Sequence, residues 1–416
     1  ARVQLRYAYR LTPTQGQRIA LARAFGCARV VFNDAIAARR AAREAGAPYP
    51  TDAALSKALT AAKRTRERAW LAEVSAVVLQ QALADANTAY RNFFASVTGT
   101  RKGRKLGAPR LRSRKDRAQS IRFTKAARFR VLPNGWLRLP GIGDVPVRWS
   151  RALPSESSSV TVTVDAAGRY HASFVVEAPD PPLPPTDQQV GIDLGLTHFA
   201  VLSDGTKVDA PRIARRAQAK LRRAQKELAR RQKGSANREK SRRKVARAHA
   251  RVADTRRDWL HKLSTTVVRE NQLIAVEDLA VSGLARTRLA RSVHDAGWST
   301  FLGMLAYKAQ RAGRTFVKVD RWFPSTRACS ACGAIGEAKP LHVRTWTCGC
   351  GTTHDRDVNA AQNILAAGRA VMPVETTSDP GLPGQLPVKQ EPTGSAAQAA
   401  QTGIPTVHGG EDVNGR

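Results

Sequence analysis

The chain has 416 residues, which at roughly 150 residues per domain suggests about three domains. Hydrophobic residues make up 42% and charged residues 25%, enough to bury several cores. The 69 Lys and Arg exceed the 33 Asp and Glu by 36, and so large a single-sign field calls for a polyanionic partner. No apolar run approaches the ~18 residues of a membrane-spanning helix, and no charged and apolar leader pattern opens the chain, so neither a membrane protein nor a secreted one is expected. Of five cysteines, Cys27 is isolated and four lie between Cys329 and Cys350. That is metal-site spacing in a reducing compartment rather than a disulfide framework. A small-molecule enzyme is equally disfavoured.

Val3, Leu5, Tyr7 and Tyr9 alternate with Arg2, Gln4, Arg6 and Arg10, so a half-buried strand with a basic outer face is predicted first. A helical region follows from Pro13 to Thr98, with Cys27 packed in its core beside Phe25, Val30 and Val31. Its clearest apolar stripe is Leu79, Leu83, Ala86, Tyr90, Phe94 and Val97, on one helix face. Arg101 to Ala118 carries nine Lys and Arg against one Asp and reads as a basic loop. From Ser120 to Val176 the period is two, with Asn134-Gly135 as a hairpin turn between short strands. A small β-barrel or sandwich is expected there, with the helices inserted after its first strand. Five prolines between Ala178 and Asp187 form a stiff linker.

An α/β domain is predicted from Gln188. Two strands span Val190 to Leu202, and a basic helical pair spans Pro211 to Glu270. A strand at Leu273 to Val276, a helix at Trp298 to Arg311 and a strand at Thr315 to Val319 follow. The cysteine cluster interrupts the domain, and a short helix from Asn359 to Ala367 closes it. The last 46 residues, with six Pro, seven Gly and no aromatic ring, read as a disordered tail.

Asp193 and Glu277 end apolar strands, and Asp357 opens the last helix. Carboxylates at the ends of adjacent strands can converge, and converging hard oxygen ligands suit Mg²⁺ or Mn²⁺. Two such ions would serve phosphodiester hydrolysis, one activating water and the other stabilising the leaving oxygen. Each acid alone could be a turn or cap residue; the set of three is the specific signal. Cys329-x2-Cys332 and Cys348-Gly-Cys350 fit four thiolates around one Zn²⁺. The second knuckle is one residue short, which leaves His354 as the nearest substitute ligand. Pro211 to Arg251 holds 17 Lys and Arg against two Glu. Its basic residues occur on all faces, Arg222, Arg223, Arg230 and Arg231 among them, and suit phosphate binding.

These motifs carry a resemblance. Gly191-Ile-Asp-Leu-Gly195, Val276-Glu-Asp-Leu279, Cys329-Ser-Ala-Cys-Gly333 and His354-Asp-Arg-Asp-Val-Asn-Ala-Ala361 resemble the TnpB family of transposon-encoded RNA-guided DNA endonucleases. Gly26-Cys-Ala-Arg-Val-Val-Phe-Asn33 and Thr88-Ala-Tyr-Arg-Asn-Phe-Phe94 look like its N-terminal part. The likeness covers roughly residues 1–368. It implies a multidomain α+β protein: a wedge β-barrel over 1–11 and 119–178, an inserted helical recognition domain over 12–118 and a linker over 179–187. A RuvC-like nuclease domain of RNase H fold would cover 188–320 and 355–370, with a zinc ribbon over 321–354 and the tail over 371–416. Asp193, Glu277 and Asp357 are then the metal-binding acids, with Asp355 the fallback for Asp357. The partners implied are one guide RNA per chain, transcribed from the transposon end, and a double-stranded DNA target beside a short adjacent motif. The setting implied is a prokaryotic cytoplasm, at the nucleoid. Gln80, Gln81 and Thr124 are candidate readers of that motif. A nuclease-dead RNA-guided repressor, a DNA-strand transposase or recombinase and a junction resolvase remain alternatives. The first would have lost one of the acids, and no nucleophile motif marks the second.

Overall fold

The computed structural model describes residues 2–116, 118–179, 181–279, 297–340 and 342–371. The tail expected over 371–416 therefore lies, but for Val371, outside the described residues.

Strand β1 (Arg2–Leu11) alternates exposed and inward residues along its whole length, as its period-two pattern requires. It pairs antiparallel with β8 (Tyr170–Pro179), from Arg2 opposite Pro179 to Leu11 opposite Tyr170. With β2 (Gln119–Thr124), β6 (Val147–Arg148) and β7 (Ser157–Val164) they make a five-stranded sheet in the order β2-β7-β8-β1-β6. The chain thus leaves this sheet after β1 and returns at β2. A second sheet holds the short strands β3 (Arg130–Val131), β4 (Leu137–Leu139) and β5 (Gly143–Val145). The Asn134-Gly135 turn joins β3 to β4. Gly135 has a φ of +80°, and the Asn134 side chain accepts the Trp136 N–H at 3.0 Å.

The inserted segment forms α1 (Gln15–Glu44), α2 (Asp52–Ala62) and α3 (Ala76–Val97). Thr14 and Gln17 cap α1 reciprocally: each side chain accepts the other's backbone N–H. Leu21, Phe25, Ala28, Phe32 and Ile36 of α1, Leu79 and Leu83 of α3, and Ile121, Phe123 and Phe174 of the sheet belong to one apolar core, and Cys27 is buried in it. The α3 stripe is buried only as far as Tyr90. Phe94 and Val97 are 45% and 67% exposed, because the helix outruns the layer it packs on; Phe94 rests edge-on against Tyr49 instead.

The second half is built on a sheet in the order β11-β10-β9-β12-β13. Strand β9 (Gln189–Asp193) and strand β11 (Lys207–Asp209) each pair antiparallel with β10 (His198–Leu202), which lies between them. Strands β12 (Leu273–Glu277) and β13 (Thr315–Val319) lie parallel to β9. Helices α4 (Ile213–Ala229) and α5 (Ala236–Glu270) form the basic pair, followed by α6 (Trp298–Ala312) and α7 (Arg356–Ala370). Ile274 and Val276 of β12 pack with Leu260 of α5 and Phe301 and Leu305 of α6. Ala275 faces the other way, onto Ile364 of α7. Both faces of β12 are covered, which is why its sequence is an unbroken apolar run rather than an alternating one. No helix among the described residues is long and apolar enough to cross a membrane.

Candidate active site and cysteine cluster

Strands β9 and β12 are parallel neighbours, with Ile192 opposite Val276. The next residue on each strand is an acid, so Asp193 and Glu277 stand side by side at one edge of the sheet. Helix α7 brings the third. A Cβ built on Gly191 would lie 2.0 Å from the Ala361 carbonyl oxygen, and one on Gly368 would lie 2.5 Å from the Ala275 Cβ. At these two glycines α7 lies directly on the strand backbones, closer than any side chain permits. Its first turn is thereby held over the strand ends and carries Asp357.

The electrostatics report the convergence. Burial, and after it the charges of Asp357 and then Glu277, together raise the Asp193 carboxyl to about 7; Arg356 opposes them. Burial also raises Glu277. The neighbouring acids are engaged elsewhere. Asp355 is the N-cap of α7, accepting the Asp357 and Val358 N–H groups at 3.1 Å, and it pairs with Lys207 at 2.6 Å. Asp278 pairs with Arg321 at 2.9 Å. A residue that sequence reasoning missed, Arg344, donates to both Asp357 oxygens at 3.3 Å and to the Thr197 hydroxyl at 3.2 Å. Nothing in its local sequence marks it, since the contact exists only after a hairpin has folded it back onto α7.

The four late cysteine sulfurs all lie within 4.8 Å of one another. Cys329 is 3.8 Å from Cys350, and Cys332 is 3.7 Å from Cys348. Thiolates about 2.3 Å from a tetrahedral zinc ion stand about 3.8 Å apart, so the set fits Zn²⁺. The short second knuckle has a simple account. The first closes with the Gly333 N–H on the Cys329 carbonyl, and the second one residue sooner, with the Gly351 N–H on the Cys348 carbonyl. Both glycines have positive φ, +76° and +88°. The hairpin β14 (Thr345–Thr347) and β15 (Thr353–Asp355) carries the second knuckle and runs straight into α7. The buried His354 ring reaches Cys329 with its Nε2 3.0 Å from the sulfur, outside the four-sulfur set. Buried Asn359 and Asn363 of α7 both donate to the Ala328 carbonyl at 2.8 Å, tying the first knuckle to the same helix. Two amides four residues apart in an otherwise apolar helix were the available signal for this contact.

The four arginines singled out from the basic pair are all exposed. Arg223, Arg230 and Arg231 line a cleft with Lys226 and Glu227, and Arg222 lies beside it on α4. Gln80 is exposed on α3 and donates to the Ser56 hydroxyl of α2 at 3.3 Å. Gln81, on α3, and Thr124, which ends β2, are half-buried. These three belong to the first half of the chain, whereas the acids, the cysteines and the basic pair belong to the second.

A mixed sheet carrying three convergent acids at one edge, a four-cysteine cluster on the same closing helix and a long basic hairpin define a class of nucleic-acid-processing protein. Comparison with known proteins agrees. Residues 173–288 match the OrfB IS605 family model, described as "Probable transposase". Residues 298–364 match the Cas12f1-like TNB domain, and residues 3–47 match a helix-turn-helix domain model of OrfB IS605. A Streptomyces pristinaespiralis protein named as an RNA-guided DNA endonuclease is 44% identical over 411 residues, 97% of this chain and 98% of that one. InsQ of Escherichia coli K12, named in the same way, is 32% identical over 93% of this chain and 97% of its own. A chain of a Cas12f1–sgRNA–target DNA complex shares the fold, with a TM-score of 0.51 at 12% identity over 84% of this chain and 82% of that one. The chain belongs to the TnpB family of RNA-guided DNA endonucleases. Within it, residues 3–47 form β1 and the single helix α1 rather than two helices about a turn.

Two predictions follow from the packing and the charge. Gly191→Ala, which puts a methyl group on the α7 backbone, should lower unfolding stability by about 1–3 kcal/mol; denaturant melts measure it. Asp193 carries a raised pKa in the fold, so the metal-free fold gains stability as Asp193 takes up its proton and loses it as pH rises from about 4 to about 7. Asp193→Asn should therefore raise the Tm of the metal-free protein at pH 8, with a gain that shrinks towards pH 4, in a thermal-melt series.

Proposed function

We propose that this protein is an RNA-guided DNA endonuclease whose nuclease centre is Asp193, Glu277 and Asp357. The observation that carries the reading is the state of Asp193 at the strand end, where burial first, and then the charges of Asp357 and Glu277, raise its carboxyl to about 7. Such a donor set fits Mg²⁺ or Mn²⁺. A divalent ion held there supplies Lewis-acid activation of water and charge neutralisation at the leaving oxygen of a phosphodiester. The chain's own residues do the rest. Asp355 fixes the first turn of α7 and so aims Asp357. Arg344, released from Asp357, is placed to meet a phosphate oxygen. The second half corresponds to a RuvC-like domain of RNase H fold over 188–320 and 355–370, interrupted by a zinc ribbon over 321–354 that holds one Zn²⁺ through Cys329, Cys332, Cys348 and Cys350. His354 then acts on the Cys329 sulfur rather than on the ion.

The first half corresponds to a wedge domain over 1–11 and 119–178 with a recognition domain over 12–118, joined to the nuclease by the linker at 179–187. One chain binds one guide RNA, derived from a transposon end, and Arg222, Arg223, Arg230 and Arg231 hold nucleic-acid phosphates. Pairing with the guide reads most of the DNA target, which leaves the protein only the short adjacent motif to read. Gln80, Gln81 and Thr124 are its candidate readers. The bacterial relatives fit a cytoplasmic enzyme working at the nucleoid.

The test is guide-loaded cleavage of a matched duplex in Mg²⁺ by the Ala variants of Asp193, Glu277 and Asp357. Each should lose roughly 10²–10³-fold or more of the rate, the scale set by loss of one charge-stabilising group, while gel-shift binding persists. Normal cutting by any one variant removes that residue from the centre. Metal analysis should return one zinc per chain. Cys350→Ala should lose it and His354→Ala should keep it; the reverse result would make His354 the ligand.

A further inference from the structure

Trp322 is 84% exposed, whereas the other exposed aromatic rings among the described residues stay below 50%. A scattered apolar residue on a surface needs no explanation, but this one has an unusual mount. Glu277 lies opposite Val319 in the β12–β13 register, and Asp193 stands on the far side of Glu277. Trp322 is three residues beyond Val319, so its backbone lies within ~11 Å of that row along the chain. It follows the strand end that flanks Glu277.

The turn that carries it is held from both sides. The Asp320 carboxylate accepts the Trp322 N–H at 2.8 Å, and the Asp320 carbonyl accepts the Phe323 N–H at 3.1 Å. Arg321 is pinned to Asp278 of the strand end. Phe323 turns inward onto the core of Ala275, Val319 and Ile364. The Ser325 carbonyl accepts the Asn363 amide of α7 at 2.8 Å. Adjacent aromatic residues thus point opposite ways, Phe323 anchored and Trp322 presented to solvent. Among the described residues no ring or cation stacks on the indole.

We propose that Trp322 is a stacking platform for an unpaired base of the DNA strand delivered to the acids. Its immediate exposed neighbours in the chain are Asp320 and Arg321, not apolar residues. A protein-docking surface would need a contiguous apolar patch, whereas an unpaired base needs one flat ring within a positive field. The chain's +36 charge supplies that field. The inference rests on the proposed nuclease reading and makes Trp322 a positioning residue: it holds the base beside the reacting phosphate and takes no part in the chemistry.

The experiment uses the full guide-loaded chain with targets carrying 2-aminopurine at successive positions of the strand to be cut. Stacking quenches this base. One position should be quenched in the wild type, brightened in Trp322→Ala and quenched again in Trp322→Phe, with zinc content and Tm unchanged. Cleavage by Trp322→Ala should fall roughly five- to a hundredfold, the span of one lost base stack. An abasic residue at the quenched position should slow the wild type as much as it leaves Trp322→Ala unaffected. Identical quenching profiles in wild type and Trp322→Ala overturn the proposal, as do independent, additive effects of the abasic residue and the substitution. Quenching that depends on Trp322 in a wild type that does not cut would overturn the nuclease reading while leaving the platform in place.

Discussion

The second half of the molecule depends on one close approach, that of helix α7 to strands β9 and β12. Gly191 and Gly368 remove the side chains that would hold helix and sheet apart. Ala275, Ala360 and Ala361, all fully buried, keep the layer thin. The result is geometric: the first turn of α7 is held at the level of the strand ends, where Asp193 and Glu277 sit. A thicker layer would carry Asp357 away from them. The same helix receives the cysteine hairpin at its N-terminus through β15 and the first knuckle through Asn359 and Asn363. One element therefore links the acids to the cysteine cluster.

That arrangement opposes the stability of the fold. Asp193 is held in buried surroundings beside Asp357 and Glu277, and its carboxyl is raised first by that burial and then by the two neighbouring charges. Structural acids in this protein are treated otherwise. Asp355 caps a helix and pairs with Lys207, Asp278 pairs with Arg321, and Asp165 pairs with Arg169 at 2.6 Å. The acids that stabilise have cations of the chain beside them. Among the three, and among the described residues, only Asp357 has one in direct contact, the long 3.3 Å bridge to Arg344. The separation of the two kinds is a physical criterion for function. Asp355 and Asp357, two residues apart on the same turn, both face a cation, Lys207 at 2.6 Å and Arg344 at 3.3 Å, but only Asp355 also caps the helix.

Much of this was legible in the sequence. The alternation of β1 and the unbroken apolar run of β12 each reported how many faces of the strand are covered. The Asn134-Gly135 turn and the basic helical pair were found where their residue types placed them. The positions of Asp193 and Glu277 at strand ends and of Asp357 in the first turn of a helix were legible from the apolar runs beside them. What the chain did not disclose were relations between distant segments. Strand β11 has only three residues, with no buried side chain to give it a period. The α3 stripe continues to Val97, although the layer beneath it ends near Tyr90, because the pattern records the helix and not its neighbour. Gly191 was visible, but the reason for it lies 170 residues later, at Ala361. Arg344 acts through a hairpin that must form before it faces Asp357.

The basic pair is held mainly by polar contacts rather than by a core. None of the side chains of α4 is buried, so hydrophobic burial gives it little hold. It is fastened to α5 by polar contacts: Glu227 accepts from Lys244 at 2.9 Å and from Ser241 at 3.1 Å, and Arg238 caps the Leu228 and Arg231 carbonyls at 2.9 Å. The far end of α5 is different, with Leu260, Val267 and Val268 set in the core of the second half. Between the two ends, Arg242 and Asp254 of α5 hold the turn between β7 and β8 through the Ala166 carbonyl and Arg169. The pair's net charge of +15 over residues 211–251 acts against its own compactness over the ~8–10 Å that physiological salt leaves unscreened. Each phosphate placed against it adds an attraction and also cancels a repulsion. A polyanion held there would therefore stabilise the pair and be bound by it in one linked equilibrium.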